Sequence, residues 1–172
     1  MEDLTAPITE FVRTHSDWAY VILGLTAFGE SLFLLGFLVP ATPIFLAIGG
    51  LIAVAGLDPV PLVASAVMGA IAGDIASYLI GRKSGRRIIY SRAGKPHRTK
   101  IAKARLFFRK YGMLSVFFGR FIGPLRCTVP FVAGMTRMDQ FRFQIANCAS
   151  AILWAPVMLL PGWLTVTGYK II

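Results

Sequence analysis

The chain has 172 residues, 56% of them hydrophobic and 15% charged, with a formal net charge of +10 at pH 7. So much apolar surface exceeds what one soluble core of this length can hide, which points to a single membrane domain. A soluble nucleic-acid binder fits the basicity but not its distribution. Twelve of the eighteen Lys and Arg fall between Arg82 and Lys110 without an acid among them, and apolar spans flank that stretch.

Leu4, Ile8, Phe11 and Val12 recur at helical spacing among polar residues, which predicts a short amphipathic helix lying on the membrane. Glu2, Asp3, Glu10 and Asp17 face a single Arg13 here, so there is no basic n-region and no signal peptide is expected. From Trp18 to Leu38 the chain is apolar except for Thr26, Glu30 and Ser31, and it then meets Pro40-Ala41-Thr42-Pro43. The next apolar run, from Ile44 to Gly56, is shorter than the roughly twenty residues a crossing needs. Two apolar arms joined by a proline turn predict a re-entrant hairpin, with Pro40 and Pro43 shaping it.

Asp58-Pro59-Val60-Pro61 is a helix start, and the run from Val60 to Gly81 is long enough to span. Ser65, Gly69, Gly73 and Ser77 give that helix a small-residue face for close packing, and Asp74 lies beside the stripe, pointing inward. Two roles are open to Asp74: a buried link to the second hairpin, or a partner for Arg82. A basic loop is expected over about 83–99 and a second interfacial helix from Lys100 to Tyr111. A final spanning stretch from Phe141 to about Leu160 carries Asn147, expected to hydrogen-bond between helices, and Pro156, Pro161 and Gly162 are expected to interrupt its far end.

Between these lies the most informative segment, residues 117–134. It holds Arg120 and Arg126 in an otherwise apolar run that also carries Gly119, Gly123, Pro124, Pro130 and Gly134. A charge in hydrocarbon costs roughly 2.5–3.5 kcal/mol on insertion scales, so it persists with a partner, a polar cavity or a task. Irregular backbone at membrane depth is tolerated only where protein buries it or water reaches it. Broken backbone with intramembrane arginine predicts a second hairpin that binds an anion. Glu30 is a functional candidate on the same ground, and burial and a nearby arginine act on its proton affinity in opposite directions. A permanent Glu30–Arg120 ion pair is the plain structural alternative.

The order of elements repeats: amphipathic helix, re-entrant hairpin, spanning helix. Phe28-Gly29-Glu30 echoes Phe118-Gly119-Arg120. The predicted fold is an all-α integral membrane inverted repeat, one domain over 1–172, with repeat 1 over about 1–82 and repeat 2 over about 100–172. The flanking charge orients the second hairpin's mouth to the cytoplasm and the first to the outside. Matching positions then approach a common axis, so Glu30 is expected within reach of Arg120, directly, through Arg126 or through one water. Cys127 and Cys148 read as small buried hydrophobes, and His15 and His97 as solvated, so no metal site and no cofactor is expected.

Phe118-Gly119-Arg120-Phe121, Pro124-Leu125-Arg126, Pro130, Ala133-Gly134-Met135, Phe141 and Trp154 together resemble the signature of the DedA family. Glu30 ahead of a proline turn and Tyr78-Leu79-Ile80-Gly81-Arg82-Lys83-Ser84-Gly85 extend the likeness over about residues 15 to 165. The family shares its core with the VTT-domain lipid scramblases. The resemblance implies a bacterial inner-membrane, multi-pass lipid transporter (a flippase) for phospholipids or the undecaprenyl phosphate carrier, coupled to protons. It maps substrate binding onto Arg120 and Arg126 and proton coupling onto Glu30, with Asp74 as a further acid. Many members place an acid after the first hairpin proline, where this chain has Pro40-Ala41-Thr42, and longer members add a C-terminal helix. The partners expected are lipids carrying an anionic phosphate, and protons, with no nucleic acid. A proton or ion antiporter without a lipid substrate is an alternative. So is a lipid phosphatase, although no nucleophile–base pair or metal-ligand cluster supports an enzyme.

Overall fold

The computed structural model describes residues 16–32, 41–55, 58–90, 98–122 and 126–169. The amphipathic helix expected over residues 4–12 lies outside them, as do Pro40, Gly123, Pro124 and both histidines. Among the described residues there are seven helices and no strand: α1 (Ser16–Ser31), α2 (Ala41–Ala55), α3 (Pro59–Tyr90), α4 (Arg98–Tyr111), α5 (Met113–Gly119), α6 (Thr128–Met135) and α7 (Gln140–Tyr169).

Two of these are long and apolar enough to cross a membrane, over Pro59–Gly85 and Gln140–Leu164. α1 and α2, at 16 and 15 residues, reach only about 22–24 Å at 1.5 Å per residue, short of a hydrocarbon core of about 30 Å. α3 starts where its sequence signal stands, with the Val60 amide donating to Asp58 Oδ1 at 2.9 Å.

Three expectations are corrected. The basic segment is not a loop from residue 83: α3 continues to Tyr90 and α4 begins at Arg98. No proline intervenes before Pro96, Lys and Arg are good helix formers, and positive charge suits a helix C-terminus. Pro156, Pro161 and Gly162 do not interrupt α7, which runs through all three. α2 packs on this part of α7 so closely that a Cβ at Gly162 would strike the Leu46 carbonyl, and one at Gly49 would meet the Leu159 oxygen at 2.6 Å. Tertiary packing there overrides the missing N–H donors. Pro43, Pro130 and Gly134 do not break backbone either. Each proline is the third residue of its helix, where the N–H would lack a partner anyway, and Gly134 lies inside α6.

α3 is the central post. α1 packs on its first half, where a Cβ at Gly69 would collide with Gly24, and α6 packs on its second, where one at Gly134 would collide with the Tyr78 carbonyl. α7 packs on α2, α3 and α5. Two apolar cores result. One joins Leu23, Ala27, Phe45, Leu62, Ala66, Trp154 and Leu159, with Phe45 edge-on to Trp154 at 5.2 Å. The other joins Tyr78, Phe108, Val116, Ala133, Phe143 and Ala146, with Tyr78 stacked on Phe143 at 4.4 Å. The first core takes the early residues of α3 and the late ones of α7, the second the reverse, so the two helices run antiparallel. Large apolar side chains also cover the outside, among them Trp18, Leu25, Met68, Phe141, Ile152 and Leu164. Such a surface suits lipid.

α6 ends in a Schellman motif. The Met138 amide bonds to the Ala133 carbonyl at 3.1 Å and the Arg137 amide to the Gly134 carbonyl at 3.0 Å. The left-handed position belongs to Arg137, at φ 57°, where a glycine would avoid a cost of about 1–2 kcal/mol.

Candidate functional site

Between the two apolar cores lies a buried polar layer: Glu30 and Ser31 at the end of α1, Asp74 and Ser77 in α3, Arg120 and Arg126 between α5 and α6, and Asn147 and Ser150 in α7. On α3 it lies about 22 Å from Pro59, at 1.5 Å per residue, deep within a helix long and apolar enough to cross a membrane. The chain delivers both arginines by leaving helical form. α5 stops at Gly119, against which Val129 packs so closely that a Cβ would lie 2.7 Å from its Cγ2. The Arg126 amide then bonds to the Ile122 carbonyl at 3.2 Å before α6 begins.

Each arginine has its own acid. Arg126 Nη1 donates to Glu30 Oε1 at 2.7 Å, across 96 residues of sequence, and Arg120 Nη2 donates to Asp74 Oδ2. The Glu30–Arg120 ion pair is therefore replaced by two crossed pairs. Glu30 meets the second arginine instead, and Asp74 links to the second broken segment and not to Arg82, whose Nη1 donates to the Tyr78 hydroxyl at 3.0 Å. Two acids and two arginines sum to zero charge, which is what a layer cut off from water can hold.

The two arginines differ in saturation. Arg120, 5% exposed, also donates from Nη2 to Asn147 Oδ1 at 3.2 Å and from Nη1 to the Asn147 carbonyl at 3.3 Å. Asn147 in turn donates from Nδ2 to the Ile71 carbonyl at 3.4 Å, tying α7 to α3. Arg126, 9% exposed, has only its Nη1 engaged among the described residues. Its Nε and Nη2 are buried without a hydrogen-bond partner, as is Glu30 Oε2. The guanidinium carbon sits 3.9 Å from the centroid of the Trp154 ring, a cation–π contact.

Charged and polar side chains in apolar runs marked Glu30, Asp74, Arg120, Arg126 and Asn147 in the sequence, and the fold brings all five into one layer. Pro43, Pro130 and Gly134 lie in flanking helices, outside it. Trp154 was missed as a site residue, since an aromatic in an apolar helix reads as packing. Ser31 and Ser77 join the layer as well, the Ser77 hydroxyl donating to the Ser31 carbonyl at 3.0 Å. Cys127 is buried and Cys148 half-buried, both as free thiols.

A VTT domain model matches residues 39–164, which contain Asp74, both arginines, Asn147 and Trp154. Protein DedA of Escherichia coli K12 is 28% identical over 159 residues, covering 91% of this chain and 73% of the relative. The chain belongs to the DedA family. An uncharacterized membrane protein of Buchnera aphidicola is 31% identical over 164 residues, 95% of this chain and 64% of the relative. The inner membrane protein YabI of E. coli K12 is 28% identical over 159 residues, 92% of this chain and 63% of its own length. The chain thus spans under two thirds of the length of the Buchnera relative and of YabI. No solved structure matches. As a DedA-family chain it is a membrane protein, all-helical among its described residues.

Proposed function

We propose that this DedA-family protein translocates an anionic lipid phosphate across the bacterial inner membrane, with undecaprenyl phosphate preferred over a phospholipid. The observation that carries the reading is the unpaired Nε and Nη2 edge of Arg126. That edge is the planar fork that matches two phosphate oxygens, and here it is desolvated, set against the Trp154 ring and left without a hydrogen-bond partner. A half-satisfied buried charge costs stability, so its retention supports a binding role. Arg126 is the phosphate ligand, and Arg120, saturated by Asp74 and Asn147, fixes the broken segment and adds positive field.

Charge balance supplies the coupling. At rest the layer is neutral. A phosphate monoanion on Arg126 would leave one negative charge, and one proton on Glu30 restores neutrality while releasing its hold on the arginine. Occupancy and protonation therefore rise together. Asp74 stays paired, so one carboxyl couples, in keeping with Ala41-Thr42 where many relatives have an acid.

The contacts between elements support an inverted repeat. α1 packs on α3 as α5 packs on α7, and α2 packs on α7 as α6 packs on α3. In this reading α1–α2 and α5–α6 are opposed re-entrant hairpins meeting at the polar layer, a transporter design.

The test is lipid translocation in proteoliposomes, comparing polyprenyl phosphate with phosphatidylcholine, with and without a pH gradient. The reading requires gradient-stimulated movement of the polyprenyl phosphate. Ion flux without lipid movement would replace it with an antiporter, and phosphate release would replace it with a phosphatase.

A further inference from the structure

Two turns beyond Asp74 along α3, about 12 Å at 1.5 Å per residue, lies a different charged cluster. Leu79, Arg82, Lys83 and Arg137 line a cavity of about 490 Å³. Its three cations are exposed, and among the described residues none has a carboxylate partner. The nearest acid in sequence, Asp139, is engaged through Oδ1 with the Arg142 amide at 3.0 Å.

The Arg82 guanidinium is held in place, and the backbone of Arg137 is fixed by its helix cap. Arg82 donates to the Tyr78 hydroxyl, which itself donates to the Met138 carbonyl at 2.6 Å from a fully buried ring. Arg137 occupies the left-handed position of the α6 cap, the place glycine ordinarily takes. An arginine kept at a strained backbone position, beside two other cations and without an acid, marks a task for its charge. One wall is apolar: Leu79 lines the cavity, and neighbouring Ile80 is 49% exposed. The pocket therefore sits where an apolar helix surface gives way to a cationic one.

We propose that Arg82, Lys83 and Arg137 form a second, interfacial phosphate site, which takes the headgroup phosphate of an anionic lipid with its chains against Leu79. Guanidinium forks and an ammonium supply charge-assisted donors to phosphate oxygens. A lipid is favoured over free phosphate by the apolar wall, which a soluble anion would not use. The site stands whether or not the internal arginines carry transport.

Arg137→Gly gives a clean test, because it removes the charge and relieves the backbone together. The full chain is placed in phosphatidylcholine nanodiscs and titrated with a short-chain phosphatidic acid and, separately, with inorganic phosphate. Arg109→Gln, which changes net charge equally on α4, is the control. Arg126→Lys is added in each case to silence the internal fork. Arg137→Gly is expected to raise Tm and to weaken phosphatidic acid binding roughly tenfold, the loss of one charged hydrogen-bonding group. Lys83→Gln is expected to weaken it also, while Arg109→Gln leaves it unchanged. Loss in the phosphatidic acid arm alone assigns the site to a lipid headgroup, and equal loss in both arms assigns it to phosphate from either source. Affinity of Arg137→Gly and Lys83→Gln equal to that of the Arg109→Gln control overturns the proposal.

Discussion

Arg120 and Arg126 look alike in sequence and differ in what their guanidinium groups have left to give. Arg120 is spent on Asp74 and on both oxygens of Asn147, whereas Arg126 keeps its Nε and Nη2 donors in reserve. Their substitutions should separate accordingly. Arg120→Ala strands Asp74 as a buried charge and is expected to cost about 3–5 kcal/mol of stability, read as a fall in Tm in detergent. The double change Arg120→Ala with Asp74→Ala should recover part of that loss. Glu30→Gln keeps the shape of the pair, so the protein should fold and move lipid at a rate that no longer varies with pH. A pH–rate profile unchanged by that substitution would remove Glu30 from the coupling. The residues themselves were legible in the sequence, because a charge in an apolar run is costly and stands out. Their pairing was not. Which acid meets which arginine depends on helix rotation and on residues 46 and 96 positions apart: of the contacts left open for Glu30, the structure makes the one with Arg126, and a direct pair with Arg120 is not formed.

Elements were legible where a local signal was strong and misread where packing overrode it. Asp58-Pro59 starts α3 as its spacing indicates, and the chain breaks around the arginines as expected of that segment. Proline misled in α7, because contact with α2 through Gly49 and Gly162 sustains the helix past Pro156 and Pro161. The echoed glycines make a sharp prediction at this scale. A Cβ at Gly119 meets Val129, while one at Gly29 meets nothing within 4 Å. Gly29→Ala should leave Tm within about 0.5 kcal/mol equivalent, and Gly119→Ala should cost about 1–3 kcal/mol by forcing α5 from α6. Gly134→Ala, aimed at the Tyr78 carbonyl, should cost at least as much. Equal behaviour of Gly29→Ala and Gly119→Ala would show that the two turns are packed alike.

Among the described residues, a buried polar layer lies between two apolar cores, and large apolar side chains cover much of the outside. That arrangement follows from the long antiparallel pair α3 and α7, onto which the four short helices α1, α2, α5 and α6 dock in two matching ways. The basic end of α3 predicts a cytoplasmic location: cysteines introduced at Lys83 or Arg87 in the cell should react with an impermeant maleimide only from the cytoplasm, and labelling in intact cells would invert that topology. We propose that the unpaired edge of Arg126 receives the lipid phosphate. The most direct measurement is the translocation rate of polyprenyl phosphate by Arg126→Lys in proteoliposomes at matched protein insertion. A lysine keeps the ion pair with Glu30 and loses the planar fork. The rate should fall by about tenfold or more with Tm little changed, and a rate equal to that of the unaltered protein would remove Arg126 as the phosphate ligand.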